Sequence, residues 1–424
     1  MSKINKLTDD CFAHDKDRLR HNEALRILKE RMHCIVGTEK IALGDGTGRV
    51  LAAPVPAPRN IPAFDNSAVD GYAFCHGEHE ATGGFFPITA RIAAGTPDDI
   101  EIPGFSAARI FTGAPMPKGA DTVVMQEDCE THEQDGTQFV VIPSGLKKGA
   151  NCRLSGEDVQ KASVLISPGQ KLRAQELAAI GSAGINEITV FKRLNIGLLS
   201  NGDEILRPGE PFQPGKVFDA NYYLLSGLLD SPMFEVDDLG ICPDSKIKVK
   251  SILTEATQNY DCIISSGGAS KGEEDHLITT LETLGTCHLW QLAVKPGRPM
   301  GFGQIDGTPC FVLPGNPVAA FVCFLLYVKP ALNVLGGKQW HEPVRFPLKA
   351  DFSLSSKPDR REFLRGFTDL NENGSLVARK FQRDGSGLIT GIREATGLIE
   401  ISEERTSVET GQIIHFIPFT ELLA

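Results

Sequence analysis

A glycine-rich segment followed by acidic residues is the part of the sequence best suited to chemistry. Residues 261–275 read DCIISSGGASKGEED, in which a short β-branched run ends in two serines and a glycine pair. A strand that ends in such a turn and leads into a helix directs backbone N–H groups at one point, and that point favours phosphate oxygens. The acids at residues 273–275 would repel a phosphate unless a divalent cation lay between them. The segment therefore predicts chemistry on a phosphate-bearing ligand.

Other predicted strands of the same region also end in polar or glycine-rich loops. Ligands of an open α/β sheet bind beyond the carboxyl ends of its strands, so loops at those ends are expected to lie together. A single loop of this kind is ordinary turn chemistry, because Gly and Asp favour tight turns. Four loops on one edge favour a binding site. They are residues 200–204, Asp244 after a strand that ends near residue 241, residues 265–275, and residues 314–317, where Asn316 is a predicted N-cap and Pro317 takes the first helical position.

Two cations, Lys295 and Arg298, follow a further predicted strand. An isolated pair of cations is usually a solvated turn. An acidic chain that binds phosphate, however, needs cations close to the phosphate. Arg suits bidentate contact with phosphate, and Lys acts as a point charge. Both residues are therefore candidate ligand contacts.

Polar residues also cluster in and just after the proline- and glycine-rich stretch of residues 54–149. Asp70 lies in FDNSAVDGY and Thr112 in TGAP, whereas Arg153 precedes a GED sequence that ends at Asp158. Turn formation explains the first motif equally well and is the preferred explanation of the second, because Asp, Asn, Gly and Pro favour turns. The histidines and cysteines form no convincing metal-binding pattern.

The composition indicates a globular protein of several domains. The chain has 424 residues, of which 41% are hydrophobic and 23% charged, and its formal net charge is −11. That charge argues against duplex nucleic acid or an anionic membrane as the main partner. No signal peptide is visible, and the longest apolar run, residues 318–328, is too short to span a bilayer. The ten cysteines are irregularly spaced and favour reduced thiols, so a cytoplasmic location is expected.

The order of the predicted elements indicates a multidomain α/β plus β protein. Strands alternate with helices between about residues 195 and 335, as in βαβ units with a mainly parallel sheet. Short strands predominate before and after this part. The predicted domains are a discontinuous elongated linking domain (residues 1–53 and 150–190), a β-rich inserted domain (54–149), a central α/β domain (191–336) and a C-terminal β domain (337–424).

Several long motifs resemble those of the MoeA family of molybdopterin molybdenumtransferases, which includes the gephyrin E domain. They are FDNSAVDGYAF, RIFTGAPMPKGADTVVMQED, SGEDV, LSNGDEI, ISSGGASKGEEDH, AVKPGRPMGFG and LPGNPVAA, and in the family's order they cover roughly residues 20–335. The resemblance implies a central molybdopterin-binding domain and an elongated homodimer, with a cleft between that domain and the partner's β-rich domain. The implied reaction inserts molybdate into adenylylated molybdopterin (molybdopterin-AMP) and releases AMP with the help of Mg²⁺.

The resemblance also implies how the central residues would act. Glu204, Asp244 and Asp275 would bind Mg²⁺, which neutralises and polarises the phosphoanhydride. Lys295 and Arg298 would offset the remaining negative charge, an effect that grows as the cleft excludes water. Glu204 and Asp275 are accordingly predicted as catalytic as well as metal-binding residues.

Further roles are implied for two other sets of residues. The residues predicted to orient molybdate or the attacking oxygen from the partner subunit are Asp70, Thr112, Arg153 and Asp158, of which Arg153 also counts as a substrate contact. The remaining predicted contacts with the bound substrate are Ser266, Gly267, Gly268, Ser270, Pro314, Gly315, Asn316 and Pro317.

Two positions depart from the family's pattern. Gln291 stands where a lysine is expected in a WKLA-like stretch, and Lys271 follows the glycine turn, where a lysine is unusual. We hypothesise that Lys271 takes over the charge that is missing at residue 291.

Two other functions compete with this interpretation. A molybdopterin adenylyltransferase shares the central domain, but a single-domain enzyme would not need the inserted and C-terminal domains. A scaffold that anchors receptors, a role of gephyrin-type chains, would need an extra domain and a long disordered linker. Contacts with the adenylyltransferase and with enzymes that accept the finished cofactor are also expected.

Overall fold

The structure is a computed structural model that describes residues 18–269, 276–383, 385 and 387–423, without the side chains of residues 288–290. Three residues of the sequence-based predictions, Ser270, Lys271 and Asp275, lie outside the described residues.

A six-stranded sheet forms the centre of the chain and carries the predicted glycine-rich loop. Four neighbouring strands run parallel, the fifth runs antiparallel to them, and the sixth pairs antiparallel with the fifth. The mainly parallel sheet was predicted, but the antiparallel edge was not. In spatial order the strands are Phe234–Cys242, Leu194–Asn201, Cys262–Ser266, Thr308–Leu313, Pro299–Ile305 and Thr286–Gln291.

Helices cover both faces of this sheet. Successive side chains of a strand point to opposite faces, so Ile264 joins the core on one face and Ile263 joins the core on the other. The helices are Ala220–Leu229, Lys246–Asn259, His276–Leu284, Pro317–Cys323 and Lys329–Leu335, with the π-helix Phe324–Val328 between the last two.

The helical run Pro317–Leu335 is the apolar centre of one core. Its 19 residues have a mean hydropathy of 2.0 and would be long enough to cross a membrane. The apolar run of residues 318–328, which was expected to be too short for that, is part of this longer helical run. However, 89% of the run is buried inside the fold, as in the core helix of a globular domain.

The N-terminal half contains a second six-stranded sheet and a smaller linking layer. The linking layer is built from both sides of the inserted stretch, because Thr38–Ala42 pairs with Glu187–Phe191 and Val55–Pro56 pairs with Val164–Ile166. The helix Ala174–Ser182 packs on it. The strands of the second sheet are, in spatial order, Thr122–Met125, Gly71–Phe74, Ala107–Ile110, Phe85–Ile92, Thr137–Val141 and Glu130–Gln134.

The first described helix, His21–Arg31, belongs to the core of the central sheet rather than to the linking layer. The backbone of Leu19 exchanges hydrogen bonds with Gln291 and Ala293 (3.0 and 2.9 Å), and Leu28 is completely buried in that core. The predicted linking domain included this segment. The four domain boundaries stay predictions.

The C-terminal part is a closed barrel of five strands. The barrel closes because the strand Arg361–Leu370 pairs both with Leu376–Lys380 and with Gly397–Ile401. A sixth, short strand, Val294–Lys295, follows the central sheet in the chain and pairs in parallel with Arg361–Leu370. In spatial order the barrel strands are Arg361–Leu370, Leu376–Lys380, Phe346–Ala350, Ile413–Pro418 and Gly397–Ile401.

Replacement of Phe363 by Ala is expected to destabilise the junction between barrel and sheet by about 3–5 kcal/mol, because it leaves a cavity in a dense core. Phe363 is 1% exposed, and its ring meets the His21 ring at 5.0 Å between centroids. Phe212→Ala is the matched control, since that ring is 67% exposed. Chemical denaturation of both variants beside the parent chain measures the difference. Equal stabilities would show that Phe363 does not hold the junction.

Candidate functional site

A cavity of about 760 Å³ lies between the carboxyl ends of the central strands and the C-terminal barrel. We refer to it as the main cavity. Its position agrees with the rule that ligands of an open α/β sheet bind beyond the carboxyl ends of the strands. The predicted site residues that line it are Glu204, Asp244, Gly267, Gly268, Lys295, Pro314, Gly315 and Asn316.

The glycine turn, Gly267 and Gly268, requires glycine at both positions. Gly267 has φ +90°, and a Cβ on it would lie 2.3 Å from the carbonyl oxygen of Asn201. Gly268 has φ +75°, and its Cβ would lie 2.8 Å from Oδ1 of Asn201. The amide of Gly267 donates to the carbonyl of Leu313 (3.0 Å). That donor is already satisfied, so phosphate contacts of the turn would have to begin at Gly268.

The acidic pair, Glu204 and Asp244, lines the main cavity beside the glycine turn. Asp244 accepts hydrogen bonds from Nδ2 of Asn201 (3.2 Å) and from the amide of Asp203 (3.1 Å), which fix its carboxylate at the end of its strand. Glu204 is exposed, and its carboxylate has no hydrogen-bond partner among the described residues. Carboxylate oxygens with free lone pairs are the ligands that Mg²⁺ prefers. These two residues alone do not complete a metal site, and within the described residues no group of three potential ligands occurs.

Lys295 reaches the main cavity from the junction with the barrel. Its Nζ lies 3.3 Å from Oε2 of Glu362, whose other oxygen accepts from Arg360 (2.6 Å) and Ser356 (3.1 Å). Burial raises the pKa of Glu362, but the hydrogen bond from Arg360 and the charge of Lys295 outweigh it, so the pKa lies below its ordinary value. Glu362 is therefore ionised and holds Lys295 in place.

The loop of residues 314–317 leads into the buried helix in the predicted way. Asn316 caps that helix, because its Oδ1 accepts from the amide of Val318 (3.3 Å), and Pro317 takes the first turn. The carbonyl of Gly315 accepts from Nδ2 of Asn221 (2.8 Å). Pro317 lies away from the main cavity. It lines a smaller cavity of about 230 Å³, the side cavity, together with Ser266.

Arg298 lies outside both cavities, although it was predicted to contact the ligand. Its side chain is exposed on the surface. Its backbone carbonyl accepts from the amide of Leu292 (2.8 Å), which holds the end of the turn against the preceding strand. Gln291 likewise lines neither cavity.

Sequence reasoning missed the contribution of the barrel to the main cavity. Arg365 and Lys380 line it together with Phe363 and Phe381. Arg365 is 8% exposed and donates to the carbonyls of Leu388 and Arg383 (both 3.0 Å), and its guanidinium lies over the Phe381 ring (5.4 Å to the centroid). The one feature of the sequence that could have indicated this contribution is the arginine at residue 365, a cation within a predicted strand.

The N-terminal group, Asp70, Thr112, Arg153 and Asp158, forms around three segments that backbone hydrogen bonds join. Gly113 donates to Ser67 (2.8 Å). Asn66–Ser67 in turn pairs with Cys152–Arg153 as two short strands. The sequence-remote segments that carry Asp70, Thr112 and Arg153 therefore meet at one place.

Within this group, Asp70 and Thr112 form a defined pair. Oδ1 of Asp70 accepts from the amide of Thr112 (2.8 Å) and from its hydroxyl (2.7 Å). These two hydrogen bonds lower the pKa of Asp70, because they stabilise the charged form. Arg153, at the end of its short strand, and Asp158, in the loop that follows, are both exposed.

The N-terminal group does not reach the main cavity of its own chain. The part of the chain that the structure describes lines that cavity only with residues between 201 and 385. Asp158 instead lines a shallow surface depression formed by residues 156–165. The structure therefore presents two separate sets of candidate residues.

Comparison with known families gives three matches along the chain. Residues 19–184 match the MoeA N-terminal region (domain I and II), and residues 197–334 match a probable molybdopterin binding domain. Residues 347–419 match the MoeA C-terminal region (domain IV). The main cavity thus lies between the second and third matched regions.

Individual relatives match over nearly the whole chain. The molybdopterin molybdenumtransferase of Haemophilus influenzae is 36% identical over 91% of this chain and 95% of the relative. That of a Nostoc species is 31% identical over 88% of this chain and 87% of the relative. A crystal structure of the molybdopterin biosynthesis MoeA protein from Pyrococcus horikoshii superimposes with a TM-score of 0.80 at 28% identity, covering 95% of this chain and all of that chain.

Substitution of Gly267 by Ala is expected to destabilise the strand end, because its Cβ would collide with backbone at a φ that Ala rarely adopts. We expect a loss of more than about 2 kcal/mol. Gly315→Ala is the control within the same cavity, since its Cβ would meet nothing closer than 3.8 Å. Thermal unfolding of both variants measures the effect. A Gly267→Ala variant as stable as Gly315→Ala would contradict the steric argument.

Proposed function

The chain belongs to the MoeA family of molybdopterin molybdenumtransferases, and on that premise we propose that it inserts molybdate into adenylylated molybdopterin with release of AMP, in a reaction that depends on Mg²⁺. It is thus an enzyme of molybdenum cofactor biosynthesis. The observation that carries the proposal is the main cavity, in which the acidic pair, the glycine turn and Lys295 meet at one edge of the parallel sheet. An anionic phosphoanhydride fits this combination of donors and metal-binding oxygens.

The acidic pair is where Mg²⁺ would bind. The ion would neutralise the phosphoanhydride and polarise it towards attack. Asp244 is suited to this role because Asn201 and the amide of Asp203 fix its carboxylate without using all of its lone pairs. Glu204 could complete the pair from the exposed side, and Asp275 is the third predicted ligand.

Lys295 would offset the negative charge that remains on the substrate. Glu362 and Arg360 position its strand, so the ammonium need not be ordered when the substrate binds. Such preorganised charge stabilises developing negative charge more strongly in a cavity than in water. The N–H groups of the turn from Gly268 onward would contact the phosphate.

We further propose that the enzyme is a homodimer in which the N-terminal group of one subunit faces the main cavity of the other. The separation of the two sets within one chain supports this proposal. Asp70, held ionised by Thr112, would then orient molybdate or the attacking oxygen through a positioned hydroxyl or a bound cation. Leu154, which is 59% exposed beside Arg153, offers apolar surface for such an interface.

The proposal places the reaction in the cytoplasm, with no nucleic acid or membrane partner. The nine described cysteines are free thiols, which suits a reducing compartment. The molybdopterin adenylyltransferase that makes the substrate and the enzymes that accept the product are the proteins expected to contact this one.

The reaction is tested by incubating the parent chain with molybdopterin-AMP and Mg²⁺, with and without molybdate, and measuring AMP. AMP release that depends on molybdate is expected. Glu204→Gln should lower the rate about 100-fold or more, because it removes a metal-binding charge from the cavity. Glu235→Gln is the matched control on an exposed part of the same sheet and should keep full activity. Pyrophosphate release from ATP, or AMP release that ignores molybdate, would contradict the proposal.

The shared site is tested by mixing two inactive variants, Asp70→Asn and Glu204→Gln, under conditions that exchange subunits. If each site takes Asp70 from one subunit and Glu204 from the other, every mixed dimer has one intact site. Half of the dimers are mixed and half of their sites are intact, so about one quarter of the parental activity should return. If both residues serve one site within a single chain, mixing restores nothing.

A further inference from the structure

The side cavity adjoins the main cavity and shares wall residues with it. Asn201, Glu204, Gly267 and Gly315 contribute to both. Its volume of about 230 Å³ is below the usual range for a complete ligand site, so it suits one part of a larger ligand that extends into the main cavity.

Two buried side chains on the wall of the side cavity carry oxygens that lack a partner. Ser266 is 1% exposed and Asn221 is 7% exposed, and neither Oγ of Ser266 nor Oδ1 of Asn221 has a hydrogen-bond partner among the described residues. The Asn221 amide has a fixed orientation, because its Nδ2 donates to the carbonyl of Gly315 (2.8 Å). Its Oδ1 is therefore an acceptor without a donor. Buried polar groups of this kind are costly unless a ligand or water satisfies them.

The charges around the side cavity do not favour a phosphate. Asp219, which is 4% exposed, lies on its wall and accepts from the amide of Tyr222 (2.9 Å), so the N-terminus of the helix Ala220–Leu229 is already capped by a carboxylate. Glu204 adds a second acid. The other oxygen of Asp219 is also paired, because it accepts from the hydroxyl of Ser200 (2.5 Å) and from Arg207 (3.1 Å). The buried acceptors left to a ligand are therefore the oxygens of Ser266 and Asn221, which suit a neutral ligand edge rich in N–H donors.

An aromatic ring also stands at the side cavity. Phe218 lines it and is 44% exposed, so a ring face is available to a flat ligand. Stacking on such a face favours a planar heterocycle over a flexible chain.

We propose that the side cavity binds the aminopyrimidinone edge of the pterin, whereas the phosphoanhydride lies in the main cavity beside Gly268 and Lys295. This assignment rests on the proposed function, because it orients the substrate of that reaction. The pterin's amino and ring N–H groups would donate to Ser266 and Asn221, and its ring would stack on Phe218. The substrate would enter with its neutral donor edge towards the unpartnered oxygens of Ser266 and Asn221 and its anionic end towards Lys295.

The assignment is tested with two small probes, 6-methylpterin and its 2-oxo analogue, whose binding to the parent chain is followed by fluorescence. The parent chain should prefer the pterin. Ser266→Ala should weaken pterin binding about fivefold, the effect of one neutral hydrogen bond, and leave AMP binding unchanged. Phe218→Ala, at an exposed position that folding tolerates, should also weaken both probes but not AMP.

Ser265→Ala is the matched control. Its hydroxyl is equally buried and unpartnered among the described residues, but alternation along the strand directs it to the opposite face of the sheet, away from the side cavity. It should bind both probes as the parent does. Pterin binding that Ser266→Ala and Phe218→Ala leave unchanged, or a loss of AMP binding instead, would overturn the assignment. Pterin binding as expected in a chain without molybdate-dependent AMP release would refute the proposed reaction and leave the assignment standing.

Discussion

The parallel pairing of Val294–Lys295 with the barrel strand Arg361–Leu370 is the contact on which the main cavity depends. It places Lys295 opposite Glu362, and the amide of Arg361 donates to the carbonyl of Ala293 (2.8 Å) on the same seam. Glu362 is almost completely buried, and Lys295, Arg360 and Ser356 together compensate its charge at this junction. The barrel therefore cannot move far from the sheet without separating this pair.

This pairing holds the barrel against the central sheet, so the main cavity has one wall from the sheet and one from the barrel. The sheet supplies carboxylates and a glycine turn, whose geometry follows from strands that end side by side. The barrel supplies Arg365, Lys380 and aromatic rings. The guanidinium of Arg365 also holds the loop near Leu388 through its carbonyl, so this cation stabilises the wall that it forms. The wall of the main cavity and the packing of the barrel thus share residues.

Local signals in the sequence predicted much of this arrangement. β-branched runs and turn residues indicated the strands that precede Glu204 and Gly267, and the Asn-Pro pair at residues 316–317 predicted a capped helix that the structure contains. Parallel strands then require their loops to share one edge, so the acidic pair and the glycine turn could be grouped without coordinates.

The parts that the sequence did not predict depend on contacts between distant residues. Nothing local to residue 365 says that its strand faces the central sheet, because that follows from the pairing of residues 294–295 with residues 361–362. The antiparallel strand Pro299–Ile305 was missed for a related reason, since its two glycines weaken the β signal. Both are required by distant neighbours: a Cβ on Gly301 would meet the Ile278 and Val312 side chains, and one on Gly303 would meet the carbonyl of Thr286. Arg298 had a suitable side chain but lies on the outer side of a turn.

Electrostatics connects the proposed dimer with the proposed metal. Asp70 and Asp158 of one subunit would face Glu204 and Asp244 of the other across a cleft from which water is partly excluded. Like charges repel strongly in such surroundings, and the hydrogen bonds from Thr112 keep Asp70 ionised rather than neutral. An approach of the two subunits therefore requires positive charge between them, which Arg153, Lys295 and a divalent ion would supply together. In the proposed dimer, the cleft would close fully only with the cation bound and would then be complementary to an anionic substrate.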